Sequence, residues 1–489
     1  MPVKRLLACI ARCLVFALVL TGVLRFAGRV LGGAEDPVNH SGEGLYAQWP
    51  GSVDVVFVGP SHVYNALIPQ LIYDETGITS YDFASSAQSF EASSWAAVEA
   101  MRTARPDVVF VETALISADE AYRQTTNYYT SLARMLSPFS PTKYQAFADL
   151  RRIERESYET ATQSDETSAG DVDWTDFFRV TAFHTQYASL TRTGLDFALG
   201  CDLYVSTHGF DASYRVASEE DIASQIETFP EEQLASAHLS DEKTAALDRI
   251  MDASEQYGVE VVFMVLPYFE NARDTKLLDE AQAYVEERGF AFLDFNEMDL
   301  GLAAGADFSN ATHTNYYGAV KTTRAMAAYL EEHFDLPDRR GTWLCRAWDA
   351  SAGNYAAREA AEARLPGVST QAQFREIAGE LGDEFILAAA VQGSVSDEAA
   401  ALLEERGMSG PASVWDEGRV QTGTDVTAYA RGSSLRAFVR EDRASLVFEG
   451  EALALPDRDG AYVAVFDTVR HTVRTAALYA DGTFAWLDA

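Results

Sequence analysis

The sequence predicts an α/β protein, with a parallel β-sheet flanked by helices, an N-terminal membrane helix and a second, smaller α+β domain. Three observations lead to this prediction. Short β-branched runs alternate with helical segments up to about residue 335, which is typical of parallel sheets with crossover helices. An apolar stretch led by positive charge opens the chain. Residues 336–341 have the composition of a linker, and a different pattern follows them.

The N-terminal segment has the charge pattern of a membrane-targeting sequence. Residues 1–30 contain five basic residues and no acidic one. The uninterrupted apolar stretch, 13–24, has the length of a signal-peptide core, whereas 6–26, with Arg12 extended toward the membrane surface, reaches the roughly 20 residues of a span. Arginines stand where a cleavage site needs small residues, so 1–33 is predicted to be an uncleaved signal anchor with its N-terminus inside. A buried amphipathic helix is the alternative.

Residues 50–335 are predicted to form the main domain. Its strands are expected at 53–58, 81–84, 106–112, 259–266 and 290–295, and its main helices at 90–103, 241–257, 275–288 and 317–334. From about 121 to 234 the pattern becomes helical and rich in aromatic residues, which indicates an insertion. Whether the N-terminal segment is an anchor or a cleaved signal, this domain is exported, so we expect an extracytoplasmic domain on a single-pass protein of the cell membrane.

The last part of the chain, 345–489, is predicted to be the α+β domain. Helices are expected at 356–364, 371–381 and 397–406, and strands at 385–391, 427–429, 435–439, 445–448, 461–466 and 475–479.

Composition excludes several classes of function. The chain has 38 Lys and Arg against 74 Asp and Glu, a net charge of −36, and such a field repels nucleic acid. Cys201 and Cys345 are the only cysteines outside the anchor, and the sequence leaves open whether they are free or form one disulfide. Because no zinc-binding spacing and no phosphate-binding loop occurs, no cofactor or metal is expected.

Two residues are placed for nucleophilic chemistry. Ser61 directly follows the first predicted strand, and the carboxyl ends of parallel strands are where functional groups gather. A helix N-cap is the alternative role for this serine. His313 lies in the loop before the last helix, with Asp307 and Asn310 a few residues upstream to fix its tautomer. A serine and a histidine so placed would meet at one edge of the sheet.

These residues belong to a larger pattern that resembles the SGNH/GDSL-type hydrolases over about residues 50–335. The pattern comprises Gly59, Ser61 and His62 in the first turn and Asn65 and Pro69 after it. It continues with His313, Asn315, Gly318 and Ala319 around the start of the last helix. It is most similar to the membrane-anchored, extracytoplasmic branch, which includes alginate acetyltransferase-like proteins and the teichoic-acid D-alanine transfer protein.

The resemblance implies further roles and shows three departures. It places an oxyanion or substrate-binding role on Ala87 and Gln88, where the family has a glycine in the slot of Ala87. The block at 112–114 lacks the family's asparagine, and the position of the catalytic acid holds Asn310, so either Asn310 or Asp307 would orient His313. Two other residues have open roles: His62 is an acceptor contact or a packed neighbour, and Tyr268 shapes the pocket or only ends a strand.

The resemblance implies acyl transfer on a cell-envelope polysaccharide, as an esterase or O-acyltransferase with Ser61 as nucleophile and His313 as base. A cell-surface glycan and an acyl-donating membrane protein are the expected partners. The C-terminal domain resembles an interleukin-like EMT inducer (ILEI/PANDER) domain, in the segments 382–391 and 460–467, and is expected to bind glycan or a partner. The rival interpretation is a catalytically silent scaffold or binding protein with the same fold.

Overall fold

The computed structural model describes residues 3–32, 41–118, 132, 135–161, 208–211, 213, 215–353, 364–382, 385–416, 418–430, 433–467 and 472–487. The chain divides into two compact units, Met1–Ala350 and Ser351–Ala489. The segment 336–341, with its linker composition, is part of the first unit, because Arg339 forms an ion pair there with the buried Asp54. The division therefore falls after the linker expected from composition.

The first unit alternates strands and helices. Its strands are β1 (Val55–Gly59), β2 (Ser80–Ala84), β3 (Val108–Glu112), β4 (Glu260–Val265), β5 (Ala291–Asp294), β6 (Phe308–Asn310) and β7 (His313–Thr314). Its helices are α1 (Val3–Gly32), α2 (Ser41–Ala47), α3 (Ser61–Ala66), α4 (Pro69–Thr76), α5 (Phe90–Thr103), α6 (Pro141–Ala161), α7 (Glu219–Gln225), α8 (Glu231–Ser236), α9 (Asp241–Tyr257), α10 (Ala272–Glu286), α11 (Ala304–Asp307), α12 (Tyr316–His333) and α13 (Arg346–Ser351).

The core of this unit is a five-stranded parallel sheet in the order β2-β1-β3-β4-β5. The apolar β-branched runs form its strands because both faces of the sheet are covered by helices. Val56 and Val58 pack in the cluster that includes α5 and α9, whereas Val55 and Phe57 pack in the cluster that includes α3 and α12. The predicted parallel sheet with flanking helices is confirmed.

The strand order fixes where a site can form. The chain passes from β1 to β2 on one side and returns to β3 on the other side of β1, so the loops that follow β1 and β3 diverge at their carboxyl ends. Such a reversal of direction opens a crevice in doubly wound sheets. Ser61 directly follows β1 and therefore lies at this crevice.

Within α1, the 20 residues Cys9–Gly28 are long and apolar enough to cross a membrane. This bears out the length and apolar character expected of the N-terminal segment. Most of the predicted insertion at 121–234, including Cys201, lies outside the described residues; its described parts include α6, α7 and α8. Cys345 is a buried, free cysteine.

The second unit combines helices with antiparallel sheets. Its helices are α14 (Gln371–Glu380) and α15 (Asp397–Glu405), and its strands are β8 (Phe385–Gln392), β9 (Ala412–Asp416), β10 (Arg419–Gly423), β11 (Asp425–Ala430), β12 (Ser433–Arg440), β13 (Arg443–Phe448), β14 (Glu451–Ala452), β15 (Gly460–Asp467), β16 (Thr472–Tyr479) and β17 (Phe484–Trp486). The helix expected at 356–364 lies almost entirely outside the described residues. The strands β9, β10, β14 and β17 were not anticipated from the sequence.

Two hydrophobic clusters stabilise this unit. The six-stranded sheet has the order β10-β9-β8-β15-β16-β17, and a four-stranded sheet has the order β11-β12-β13-β14. Along β8, Leu387 and Ala389 pack in the cluster with α14 and α15, whereas Ile386 and Ala388 pack in the cluster with the four-stranded sheet. The period of two residues explains this division, since successive side chains of a strand point to opposite faces.

Candidate functional site

Ser61 is the first residue of α3, immediately after the turn that leaves β1. Pro60 occupies the N-cap position and makes no side-chain cap, so Ser61 does not have the N-cap role that the sequence also allowed. Its Oγ is 2.5 Å from Nε2 of His313, a hydrogen-bond distance across 252 positions of the chain. The fold therefore brings together the two residues that the sequence singled out.

A short hairpin and a helix start hold His313. The hairpin is formed by β6 and β7, and it leads directly into α12. Asn315 caps that helix by accepting hydrogen bonds from the N–H groups of Tyr317 and Gly318. A Cβ atom on Gly318 would lie 2.2 Å from the carbonyl oxygen of Asp307, so the absence of a side chain at 318 lets the helix start pack against α11.

Asn310 fixes the tautomer of His313. Its Oδ1 accepts a hydrogen bond from the backbone N–H of Thr312 at 2.8 Å, which identifies the oxygen end of the amide. The same oxygen is 3.0 Å from Nδ1 of His313. An amide oxygen only accepts, so the proton of the neutral imidazole is on Nδ1 and the lone pair of Nε2 faces Ser61. Thr312 Oγ1 is 2.9 Å from Nδ1 and contacts the same side of the ring.

Asp307 has a different role from the one that the sequence left open. Its Oδ2 accepts hydrogen bonds from the backbone N–H of Ala303 and from Nζ of Lys321, both at 2.8 Å. These partners tie α11 to α12, and no contact joins the carboxylate to the imidazole of His313. Of the two alternatives, the structure therefore places Asn310, and not Asp307, on Nδ1 of His313.

Two backbone N–H groups, those of Ser61 and Ala87, are the candidates for stabilising an oxyanion. That of Ser61 belongs to the first turn of a helix and has no intrahelical acceptor. That of Ala87 lies in the turn after β2, where the residue has a φ of +50°, a conformation uncommon for a residue other than glycine. The pairing of Gly59 with Ala84 brings both turns to the same edge of the sheet.

The first two N–H groups after β3 are already bonded. The N–H of Thr113 bonds to the carbonyl of Met264, and that of Ala114 bonds to the side chain of Glu112. Gln88 is also occupied, because its buried amide accepts from Ser85 Oγ and donates to Ser93 Oγ. Gln88 therefore stabilises the turn that carries Ala87. Its own side chain is buried and is not exposed in the site.

His62 and Tyr268 line the other side of the site. The His62 ring meets the His313 ring edge-on, with centroids 5.3 Å apart, and meets the ring of Tyr268 at the same centroid distance. The hydroxyl of Tyr268 is buried without a hydrogen-bond partner among the described residues. Both residues are therefore part of the site's wall, as the sequence allowed.

Glu112 is a site residue that sequence reasoning did not single out. It ends β3, is 1% exposed, and its Oε1 is 3.4 Å from Nδ1 of His62. Burial raises its pKa to about 8, although the N–H groups of Leu266 and Ala114 act in the opposite direction. The signal that would have found it is a carboxylate at the carboxyl end of an otherwise apolar, buried strand.

The two histidines of the site are neutral at physiological pH. Burial lowers the pKa of His62 to about 4. Burial, with His62 beside it, lowers the pKa of His313 to about 3. A neutral imidazole can accept a proton, which is the state a general base requires.

Among the described residues, no group of three or more His, Cys, Asp or Glu side chains is arranged to hold a metal ion. The arrangement that is present can deprotonate a serine hydroxyl and stabilise an oxyanion. No family model and no curated protein matches the chain.

Proposed function

We propose that the protein is a serine esterase or O-acyltransferase of the SGNH type. The observation that carries the proposal is the hydrogen-bonded chain from Ser61 Oγ to His313 Nε2 and from His313 Nδ1 to Asn310 Oδ1. A nucleophile, a base and a group that orients the base are the three components of a catalytic triad, and an amide can serve as the third component. The resemblance of the motifs around Ser61 and His313 to that superfamily supports the same conclusion.

The geometry supports a two-step acyl transfer. As Ser61 Oγ forms a bond to the carbonyl carbon of an ester, its proton passes to Nε2 of His313. The carbonyl oxygen becomes an oxyanion, which the N–H groups of Ser61 and Ala87 stabilise. The ester C–O bond then breaks, and the leaving alcohol takes the proton from His313. Water or a sugar hydroxyl attacks the acyl-enzyme by the same steps in reverse, which restores Ser61.

We propose further that the enzyme is anchored in the cell membrane by α1 and faces outward, as the basic residues before the apolar stretch favour. Ser41, the first residue of α2, donates a hydrogen bond to the carbonyl of Ala84, which ends β2 and pairs with Gly59. Nine peptide steps separate Gly32 from Ser41 and span at most about 32 Å. The catalytic edge is thus the edge of the sheet to which the anchor is joined, which favours a substrate close to the membrane.

The proposed substrate class is an acylated polysaccharide of the cell envelope, with the second unit binding glycan or a protein partner. A membrane protein that supplies the acyl group is a compatible partner. These assignments rest on the resemblance of the two domains and on the anchor, whereas the serine chemistry rests on the geometry of the site.

A second candidate function is a catalytically silent scaffold for envelope assembly. It is favoured by one observation, that the acid position of the triad holds the uncharged Asn310. A scaffold needs no stabilisation of an imidazolium ion, whereas an acyl transferase does.

Labelling with a fluorophosphonate probe separates the two functions. The full-length protein in detergent is expected to gain one adduct on Ser61, detected by intact mass and peptide mapping. Ser61→Ala and His313→Ala should abolish the adduct, whereas Ser236→Ala, an exposed serine on α8, should leave it unchanged. Hydrolysis of a soluble acetate ester should fall about 10³-fold or more in Ser61→Ala. A folded parent protein without any adduct would contradict the enzymatic proposal and favour the scaffold.

A further inference from the structure

A second buried acid and imidazole pair lies beside the serine and histidine of the site. His62 and Glu112 are 6% and 1% exposed. Nδ1 of His62 is 3.4 Å from Oε1 of Glu112 and makes no hydrogen bond among the described residues, so it is a buried nitrogen that still lacks a donor or an acceptor. The acyl-transfer steps described above use neither side chain. Burying two ionisable groups next to a reaction centre is costly unless they are paired, so their position calls for a role.

Glu112 is held rigidly at the base of the site. Its Oε2 accepts a hydrogen bond from the backbone N–H of Leu266 at 2.9 Å, and its Oε1 accepts one from Ala114 at 3.1 Å. Gly59 makes room for it, because a Cβ atom there would lie only 2.6 Å from Cβ of Glu112. The carboxyl group therefore lies under the turn that carries Ser61, with Oε1 facing His62.

The orientation of the His62 ring follows from these contacts. Tyr268 packs against the ring at an interplanar angle of 47°, and His313 meets it at 82°. Nδ1 and Nε2 lie on different sides of an imidazole, so a ring whose Nδ1 faces Glu112 turns Nε2 away from that carboxyl group. The edge-on contact between the rings of His62 and His313, with centroids 5.3 Å apart, keeps the His62 ring beside the base that hydrogen-bonds to Ser61.

We propose that His62, oriented by Glu112, donates a hydrogen bond from Nε2 to the carbonyl oxygen of the acyl group that Ser61 attacks. The inference rests on the proposed function and adds a third donor to the N–H groups of Ser61 and Ala87. The N–H groups of Thr113 and Ala114, the first two after β3, cannot supply this donor, since both are already bonded. His62 is thus a catalytic residue in this proposal, and Glu112 is a positioning residue.

The protonation states agree with this role. Burial raises the pKa of Glu112 to about 8 and lowers that of His62 to about 4, so at neutral pH the pair consists of a carboxylic acid and a neutral imidazole. A carboxylic acid can donate its proton in a hydrogen bond to Nδ1, which leaves the imidazole proton on Nε2. An ionised Glu112 would instead draw the proton to Nδ1 and turn Nε2 into an acceptor.

Substitutions of His62 test the donor role through the hydrolysis of 4-nitrophenyl acetate by the full-length protein. His62→Phe keeps the aromatic contact with Tyr268 but removes the donor, and should lower kcat about 10²-fold, the usual effect of losing one oxyanion donor. His62→Gln retains a side-chain N–H and should recover part of that loss. The matched control is His238→Phe, because His238 also has Nδ1 3.4 Å from a carboxylate, that of Glu280, but on the surface.

Glu112→Gln tests the positioning role through the pH profile. Above its pKa, ionisation of Glu112 should reverse the tautomer of His62, so kcat of the parent protein should fall as the pH rises past about 8. The groups around Glu112 that titrate or carry charge are His62, Tyr268, Glu270 and Asp294. His62 in turn interacts with His313 and Asp274. Glu112→Gln cannot ionise, so its kcat should be lower but should not fall over that range.

The outcomes distinguish this inference from the proposed function. Equal losses in His62→Phe and His62→Gln would show that the ring only packs, and would overturn the donor role. An unchanged kcat in folded His62→Phe, with normal fluorophosphonate labelling of Ser61, would overturn it as well and leave the serine mechanism standing. Absence of Ser61 labelling in the parent protein would contradict the proposed function itself.

Discussion

Asn310→Asp is the substitution whose effect can be worked out most directly from the structure. Asn310 Oδ1 lies 3.0 Å from Nδ1 of His313 and accepts two further hydrogen bonds, from the N–H and the hydroxyl of Thr312. A carboxylate has the same shape and accepts all three bonds. The substitution therefore adds one negative charge beside the base and preserves the local hydrogen bonds.

The magnitude follows from that distance. Two unit charges about 4 Å apart attract each other by about 4 kcal/mol at an effective dielectric constant of 20, and about 1.4 kcal/mol corresponds to one pKa unit. Carboxylates this close to a cationic partner shift its pKa by about 1 to 3 units. The pKa of His313, which burial lowers to about 3, should therefore rise to between about 4 and 6 in Asn310→Asp.

The pH dependence of kcat/KM for a soluble acetate ester measures this shift, because its acid limb reports the pKa of the base in the free enzyme. The parent protein should keep its activity down to about pH 4. Asn310→Asp should lose activity at a pH about 1 to 3 units higher, and above that pH the variant should be more active than the parent protein. Asp307→Asn is the control, because Asp307 contacts Lys321 and not His313. An acid limb at the same pH in both the parent and Asn310→Asp would refute the coupling of residue 310 to the base.

Two further predictions concern stability and are measured by chemical unfolding. Gly59→Ala should lower the free energy of unfolding by about 1 to 3 kcal/mol, since the new Cβ would overlap Glu112. In the control, Gly305→Ala, the new Cβ would meet no atom closer than 3.8 Å, so the free energy of unfolding should change little. Equal effects of the two substitutions would contradict this explanation. Arg339→Met should cost about 3 kcal/mol because it leaves Asp54 buried without its cation. Arg340→Met, which breaks an exposed ion pair, should have a much smaller effect, and a reversed order would contradict the argument.

The sequence was sufficient for the main elements of the first unit because their patterns are local. The helices α5 and α9 begin and end where predicted, since Ser89 and Ser240 cap their N-termini and the apolar periodicity of each is long. The strands β1 and β3 are apolar runs buried on both faces, and this composition alone predicts parallel strands.

The sequence could not decide the contacts that depend on the packing of distant segments. The choice between Asn310 and Asp307 as the partner of His313 depends on the irregular register of the hairpin β6–β7. In the second unit, β10 was missed because four of its five residues are exposed and its pattern has no apolar period. Glu112 was missed as a site residue because an acid at a strand end is ordinary on a surface, and only the tertiary fold buries it beside His62.

Ser61, His313, Asn310, His62 and Glu112 together carry no net formal charge before reaction, although the chain as a whole has a charge of −36. Asn310 is an amide, the pKa values of His62 and His313 lie near 4 and 3, and that of Glu112 lies near 8. Attack by Ser61 creates an imidazolium and an oxyanion together, and the imidazolium has no carboxylate partner. Because none of these five groups carries a charge that offsets this separation, the reaction depends on dipoles that are already in place. Hydrogen-bond donors that face the oxyanion act in a buried site, where water screens charge only weakly. Removal of a donor at His62 should therefore cost more activity than removal of the same group in a site where a carboxylate stabilises the imidazolium.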